Sequence, residues 1–297
     1  MAQIEANGIT IEYEQYGEGE PMLLVMGLGG QLVDWPQGFV EAIVAEGFQV
    51  TIYDNRDIGL STEFEWEPPH PTKAFMKAMA KRPIETGYTL VDMAADASGL
   101  LDALEIPDAH VVGMSMGGMI AQQLTIDAPN KVRSLTSVMS NPGDRKAGRP
   151  AGKTIAHMAR QPAPTLENAV ERSLALWEII AGPHHDPERH RDLVEQSIAR
   201  SFRPVGTARQ TAAIMASPDR TPGLNEVEVP TLVIHGLVDT LVKPSGGVAT
   251  AEAVDGAQLL MFNDMGHDLP EPRWEQMATA IRQNAERAEA PATATTA

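Results

Sequence analysis

A serine between two glycines is the pattern in this chain that most directly suggests chemistry. The pentapeptide GMSMG occupies residues 113–117, with Ser115 at its centre. The apolar run at 110–112 predicts a strand before it, and the run at 119–124 predicts a helix after it. A sharp turn between such a strand and helix holds a serine exposed as a nucleophile, and Gly113 and Gly117 would give that turn the room it needs. Taken alone, the pentapeptide is equally compatible with a glycine-rich turn that carries no chemistry.

A serine hydroxyl becomes an effective nucleophile when a base takes its proton and an acid orients that base. Two residues further along the chain have the required types. Asp239 follows the predicted strand 231–235, and His267 follows the predicted strand 258–262. Each alone would usually be a turn, cap or surface residue. Their order along the chain, with each just past a predicted strand, predicts a catalytic triad of Ser115, Asp239 and His267.

Acyl transfer also needs hydrogen-bond donors for the negative oxygen of the tetrahedral intermediate. The amide of Met116 is one candidate, because it begins the helix after the serine and benefits from the helix dipole. The amide of Leu28 is the second, in the glycine-rich segment that follows the apolar run 22–26. Gly27 and Gly29 would let the backbone turn toward the site. The alternative is that this segment is an ordinary flexible loop.

These candidates must be positioned by the elements that precede them. The Asn7-Gly8 turn and the alternating residues after it predict a hairpin over 4–16. Apolar runs predict buried strands at 22–26, 48–53, 109–113, 132–138, 231–235 and 258–262. Helical patterns at 39–47 and 88–104 lie between them. The alternation predicts an α/β domain with a mainly parallel, helix-covered sheet, whose active site lies beyond the carboxyl ends of the strands.

Two segments interrupt this alternation. Residues 141–222 contain several helical patterns and no obvious strand, which predicts a helical cap inserted into the sheet domain. The long connection at 62–87, in which 74–79 could form one or two helical turns, is interpreted as an accessory lid segment. The sheet domain itself is then formed by residues 1–140 and 223–285. The alanine- and threonine-rich residues 286–297 are expected to be a disordered tail.

Composition excludes several classes of function. The chain has 297 residues and a formal net charge of −17, which argues against nucleic acid and anionic membrane surfaces as partners. It has no cysteine, so disulfides, thiolate catalysis and cysteine-bound zinc are excluded.

His184, His185 and His190 are expected to lie in a solvated loop between helices and not to bind a metal. Because the sequence shows no apolar stretch long enough to span a bilayer and no signal-peptide pattern, a cytoplasmic location is expected.

Several of these segments together resemble the α/β-hydrolase superfamily. They are residues 25–30, the turn at 53–61, the GMSMG pentapeptide, Asp239 and Gly266-His267. The resemblance extends from Ile9 to about Ile281. Within the superfamily, residues 26–27 and 55–57 are most similar to bacterial carboxylesterases related to aclacinomycin methylesterase.

The resemblance implies a mostly parallel eight-stranded sheet with an inserted helical cap. It implies Ser115 as nucleophile, His267 as base and Asp239 as the acid that orients this base. The amides of Leu28 and Met116 would then form the oxyanion hole. No metal and no organic cofactor is implied.

This sequence departs from the superfamily pattern at two positions. Met26-Gly27 stands where His-Gly is common, so any polar contact from that histidine is absent. Arg56-Asp57 stands where Arg-Gly is usual, a difference expected to affect only the turn. A polar network of structural importance is expected around Asp54 and Arg56. His235, at a strand end beside the site, is expected to serve in packing.

The predicted activity is hydrolysis of carboxylic esters through an acyl-enzyme, with a small to medium hydrophobic ester as the partner. Hydrolysis of a carbon–carbon bond or a lactone with the same triad is the alternative reaction. Dehalogenases and epoxide hydrolases of this fold need a carboxylate where Ser115 stands. A ligand receptor on a hydrolase scaffold is the alternative from another class, but such proteins usually lose a triad member. The oligomeric state is left open between monomer and homodimer.

Overall fold

Eight strands form a single sheet in the computed structural model, which describes residues 1–70, 73–74, 76–77, 80 and 82–289. Along the chain these strands are β1 (Ala2–Ala6), β2 (Ile9–Tyr16), β3 (Glu20–Val25), β4 (Phe48–Tyr53), β5 (Ala109–Met114), β6 (Val132–Val138), β7 (Thr231–Gly236) and β8 (Gln258–Phe262). Their order across the sheet is β1-β2-β4-β3-β5-β6-β7-β8. The first two strands pair antiparallel, as do β2 and β4, and all other pairs are parallel. The predicted α/β fold class is confirmed.

The predicted hairpin is formed by β1 and β2. Asn7 and Gly8, at the turn, have φ angles of 49° and 75°. Positive φ at both central residues is the geometry of a tight hairpin turn, and Asn-Gly adopts it at little cost. The strands then pair in register from Ala6 opposite Ile9 to Ala2 opposite Tyr13.

Helices cover both faces of the sheet. The α-helices whose bounds the structure describes are, in chain order, α1 (Gln37–Ala45), α2 (Leu90–Ala103), α3 (Met116–Asp127), α4 (Gly152–Arg160), α5 (Ala169–Ile180), α6 (Pro187–Arg200), α7 (Pro204–Ala216), α8 (Thr221–Leu224), α9 (Ser245–Ala253) and α10 (Trp274–Glu289). Alternate residues of β3 explain why its sequence is continuously apolar. Leu23 joins the core under α2 and α3, whereas Leu24 joins the core under α1 and α10.

A helical insertion lies between β6 and β7. In residues 141–220, all of which the structure describes, the chain forms α4 to α7 and no strand. Arg200 at the end of α6 reaches the sheet domain, where Nη2 lies 2.8 Å from Oδ2 of Asp54. Asp54 is fully buried and also accepts hydrogen bonds from the amides of Leu32 and Leu60. The expected structural network at Asp54 is therefore present, while the role of the insertion as a cap stays a prediction.

The expectation that the Arg56-Asp57 departure affects only the turn is wrong, because Asp57 makes contacts beyond it. Its φ is 70°, and its buried carboxylate accepts hydrogen bonds from Tyr88 Oη at 2.6 Å and Phe64 N at 2.8 Å. Arg209 on α7 donates to the same carboxylate at 3.0 Å. A glycine could make none of these bonds. Asp57 therefore connects the turn to the helical insertion.

The predicted disordered tail at residues 286–297 is wrong for residues 286–289, which continue α10. Ile281 and Ala285 are buried four positions apart, so the apolar face of the helix extends as far as Ala285. Arg287 also donates to the carbonyl oxygen of Gly256 at 2.7 Å. Residues 290–297 lie outside the described part of the chain.

The segment at 62–87 is described in part. Lys73, Ala74, Met76 and Lys77 are helical, which agrees with the expected turns, whereas residues 75, 78 and 79 lie outside the described residues. The carbonyl oxygen of Trp66 accepts a hydrogen bond from Arg209 of α7 at 2.6 Å. The function of this segment as a lid stays a prediction. Among the described residues, no helix combines the length and the apolar composition that crossing a membrane requires.

Candidate active site

Ser115 occupies the sharp turn between β5 and α3. Its φ and ψ angles are 56° and −118°, a conformation that residues other than glycine seldom adopt. The turn is held by the Ser115 amide, which donates to Val138 O at 2.9 Å, and by Ser140 Oγ, which donates to Ser115 O at 2.8 Å. The strained residue is thus fixed on both sides of its Cα, with its side chain half-buried at the carboxyl edge of the sheet.

The four glycines expected to support the site each lie close to another part of the chain, and at Gly113 and Gly117 a side chain would not fit. A Cβ on Gly113 would lie 2.1 Å from Gly117 O, and one on Gly117 would lie 1.9 Å from Val25 O. A Cβ on Gly27 would lie 3.2 Å from the carbonyl oxygen of Met114. Gly29 has a φ of 72°, and its Cα faces Thr207 of α7. Gly113 and Gly117 allow helix α3 to approach β5 and β3. Gly27 allows the loop after β3 to approach the serine, and Gly29 allows it to approach α7.

Replacing Gly117 with alanine is expected to lower the free energy of unfolding by about 3 kcal/mol, because the new methyl group would meet backbone atoms that cannot rotate away. Gly152→Ala is the matched control, since a Cβ there has no atom within 4 Å and Gly152 begins α4. The control should be neutral or slightly stabilising. Urea unfolding of the two variants measures the difference, and equal midpoints would contradict the steric argument.

The structure brings Ser115, His267 and Asp239 together. His267 Nε2 lies 2.9 Å from Ser115 Oγ, and its Nδ1 lies 2.7 Å from Asp239 Oδ2. A carboxylate can only accept, so Nδ1 carries the proton and Nε2 is left to accept the serine proton. The His267 amide donates to Ile180 O of α5 at 2.7 Å, so the insertion also helps to hold the loop that carries the histidine.

Asp239 is buried and its two carboxylate oxygens have separate partners. Oδ1 accepts from the amides of Leu241 at 2.8 Å and Val242 at 2.9 Å, and Oδ2 faces His267. Burial alone would raise the pKa of Asp239. The electrostatic attraction and hydrogen bond of His267, together with His235, outweigh it and lower the pKa to about 2. The carboxylate therefore stays charged next to the imidazole.

His235 does more than the packing expected of it. Its fully buried Nε2 donates to Val242 O at 2.8 Å and lies 3.5 Å from Asp239 Oδ2. It therefore supports the turn whose amides hold Asp239. A histidine at the end of a strand does not, by its sequence position, predict this contact.

Leu28 and Met116 carry the two amides expected to form the oxyanion hole, and that role stays a prediction. Met116 is the first residue of α3, where amides have no partner within the helix. Leu28 lies in the glycine loop, which we define as residues 26–30. In that loop Gly30 N donates to Gly27 O at 3.2 Å and Gly29 N donates to Gln210 Oε1 at 2.9 Å. Gly27 O belongs to the same peptide as the Leu28 amide, and Gly29 N belongs to the next peptide, so both peptides that adjoin Leu28 are hydrogen-bonded.

The three histidines at 184, 185 and 190 do not all lie in a solvated loop. His184 contacts Asp264 at 2.9 Å, but His185 and His190 are half-buried against Trp177, with ring centroids 6.0 Å and 4.5 Å away. Burial and the neighbouring His185 lower the pKa of His190 to about 4. Across the described residues, no group of three or more histidine, aspartate or glutamate side chains could hold a metal ion.

Comparison with known proteins places the chain in a family. The family model described as the alpha/beta hydrolase fold matches residues 20–272. The chain belongs to this α/β-hydrolase family. The α/β hydrolase is 29% identical over 301 residues to rhodomycin D methylesterase of Streptomyces peucetius, covering 92% of this chain and 94% of the relative. The predicted resemblance to methylesterase-like members is thereby confirmed.

A second relative of this α/β hydrolase is 2-hydroxymuconate semialdehyde hydrolase of Pseudomonas putida. The two are 28% identical over 291 residues, which cover 94% of this chain and 90% of the relative. An esterase from Exiguobacterium antarcticum has the same fold, with a TM-score of 0.73, 19% sequence identity and coverage of 96% and 98% of the two chains. At that identity the likeness concerns the fold alone.

Proposed function

We propose that this α/β hydrolase cleaves carboxylic esters with Ser115, His267 and Asp239 as its triad. The observation that carries the proposal is the unbroken hydrogen-bonded chain from Ser115 Oγ through both ring nitrogens of His267 to the buried carboxylate of Asp239. This arrangement makes a serine nucleophilic at neutral pH. The similarity to a methylesterase over almost the whole of both chains supports an ester as the substrate.

The first half of the proposed reaction acylates the serine. Ser115 Oγ attacks the ester carbonyl carbon while His267 Nε2 takes the hydroxyl proton. The carbonyl oxygen becomes negative and accepts hydrogen bonds from the amides of Leu28 and Met116, aided by the amino-terminal end of α3. The C–O bond to the alcohol then breaks, and His267 gives its proton to the departing alkoxide.

The second half repeats the same steps with water. His267 Nε2 takes a proton from a water molecule, whose oxygen attacks the acyl carbon. The bond to Ser115 Oγ breaks, the proton returns to the serine and the carboxylic acid leaves. Asp239 stays ionised throughout and stabilises the imidazolium that forms in each half. We propose small to medium hydrophobic esters, bound beneath a cap formed by residues 141–222.

A second candidate is hydrolysis of a carbon–carbon bond or a lactone with the same three residues. The similarity to a semialdehyde hydrolase over 94% of this chain supports keeping it. When a carbon–carbon bond is cleaved, the leaving group would be a carbanion, so the carbon atom, and not an alcohol oxygen, would receive the proton. A receptor without turnover is supported less well, because all three triad side chains are present and in contact.

The proposal is tested by hydrolysis of p-nitrophenyl and methyl esters from acetyl to octanoyl, with a fluorophosphonate probe as a titrant of reactive serine. We expect a p-nitrophenol burst equal to the titrated serine, followed by steady turnover. Labelling with no ester turnover would favour the second candidate, and mass spectrometry of products from carbon–carbon and lactone substrates would then identify the bond. The absence of both labelling and turnover would overturn the hydrolase proposal in favour of a receptor.

A further inference from the structure

Gln210 lies fully buried between the helical insertion and two loops of the sheet domain. It belongs to α7 and is far along the chain from both loops. Its Oε1 accepts a hydrogen bond from Gly29 N at 2.9 Å, and its Nε2 donates to Arg56 O at 2.9 Å. The Gly29 N–H can only donate and the Arg56 carbonyl oxygen can only accept. The two bonds therefore fix which end of the Gln210 side-chain amide faces each loop. Gln210 therefore connects the glycine loop to the turn at 55–57.

Helix α7 is held firmly at this place. A Cβ on Gly206 would lie 2.1 Å from Asp57 O, so the helix and turn backbones are in direct contact. Arg209 pairs with the buried carboxylate of Asp57 at 3.0 Å. Thr207 faces the Cα of Gly29 on the other side. Gln210 therefore acts from a rigid support and not from a loose surface helix.

The Leu28 peptide depends on its neighbours for its position. The Leu28 side chain is 40% exposed, so its own packing contributes little to fixing the amide. Before it, Asn55 Nδ2 donates to Met26 O at 3.0 Å. After it, Gly29 has a φ of 72°, its amide donates to Gln210, and the bond from Gly30 N to Gly27 O closes the loop. Loss of the Gln210 bond would free the peptide on its carboxyl side.

We propose that Gln210 is a positioning residue that aims the Leu28 amide at the developing oxyanion. The insertion thereby contributes to the rate of acyl transfer as well as to the shape of the substrate site. The inference rests on the proposed function. Loss of an oxyanion donor typically lowers kcat by about a hundred- to a thousand-fold, and displacing the donor should cost less. We expect a fall in kcat of about thirtyfold with KM within about twofold, because the contact matters chiefly in the transition state.

The test compares Gln210→Met with the control Gln122→Met. Gln122 is equally buried, but its partners are Ser137 and Arg220, away from the glycine loop. Both variants lose the hydrogen bonds of a buried glutamine, so both should be destabilised. Fluorophosphonate titration gives the concentration of active sites, to which kcat on a p-nitrophenyl ester is normalised. Inhibition by an alkyl boronic acid, which forms a tetrahedral adduct on the serine, reports the oxyanion contact directly.

The expected result is a fall in kcat of about thirtyfold for Gln210→Met, with boronate affinity reduced by a similar factor. Gln122→Met should keep both values within about twofold of wild type. The proposal is overturned if Gln210→Met keeps normal kcat and boronate affinity, or if Gln122→Met loses as much. Should Gln210→Met not fold, Gln210→Glu replaces it, since one oxygen of the carboxyl group still accepts from Gly29 N.

For Gln210→Glu we expect kcat within about fivefold of wild type, because the Gly29 contact remains. A loss in this variant as large as that expected for Gln210→Met would overturn the assigned role of the Gly29 bond. Failure of the proposed function is distinguishable from failure of this inference. In the first case the wild type itself shows no serine that can be titrated, whereas in the second the wild type is active and only the variants disagree.

Discussion

Replacing Ser115 with alanine is expected to lower kcat for ester hydrolysis by about a million-fold, because the change removes the atom that forms the acyl-enzyme. The fold should persist. The bonds that hold the turn run from the Ser115 amide to Val138 O and from Ser140 Oγ to Ser115 O, and alanine keeps both backbone groups. The measurement is steady-state hydrolysis of a p-nitrophenyl ester, with urea unfolding to compare stability.

Ser98→Ala is the matched control for this variant. Ser98 lies half-buried on α2, away from the residues that contact His267. It should retain wild-type turnover and fluorophosphonate labelling, while Ser115→Ala loses both. A Ser115→Ala variant that keeps even a tenth of the activity at unchanged stability would refute Ser115 as the nucleophile.

The second large effect is expected for Asp239→Asn, which should lower kcat by about ten-thousand-fold. Two backbone amides, of Leu241 and Val242, donate to Oδ1 and will hold the asparagine oxygen in that place. The side-chain NH₂ group must then face His267 Nδ1 and donate to it. This selects the tautomer with the proton on Nε2, which cannot accept the proton of Ser115.

Asp264→Asn is the control, because Asp264 precedes His267 by three residues and pairs with Arg273 outside the triad. Its kcat should stay within about threefold of wild type. The measurement is kcat of both variants on a p-nitrophenyl ester, normalised by active-site titration. A loss of less than tenfold in Asp239→Asn would show that Asp239 does not set the tautomer.

The pH profile adds a check on Asp239. Its pKa is lowered to about 2, so the carboxylate is charged above about pH 4 and loses its charge only as the pH falls through 2. Changes in wild-type activity above about pH 4 therefore come from another group.

Local features of the fold could be predicted from sequence because they depend on short-range sterics and periodicity. The Asn7-Gly8 turn, the continuous apolar strands and the glycines around Ser115 each restrict the backbone within a few residues. The triad could also be predicted from the order of serine, aspartate and histidine just after strand ends, because parallel strands bring their carboxyl ends to one edge of the sheet. The structure brings these three side chains into one hydrogen-bonded chain.

The sequence alone determined the strand–turn–helix at Ser115, the parallel sheet and the residue types for a triad. The tertiary structure alone decided which distant side chains support them. Gln210 meets Gly29 across 181 positions, and Asp57 meets Arg209 across 152. Such contacts depend on how whole helices dock on the sheet, and one polar residue inside a helical pattern does not encode that. The same reason explains why residues 286–289 are helical, since the burial of Ala285 and the bond from Arg287 to Gly256 exist only once α10 has docked.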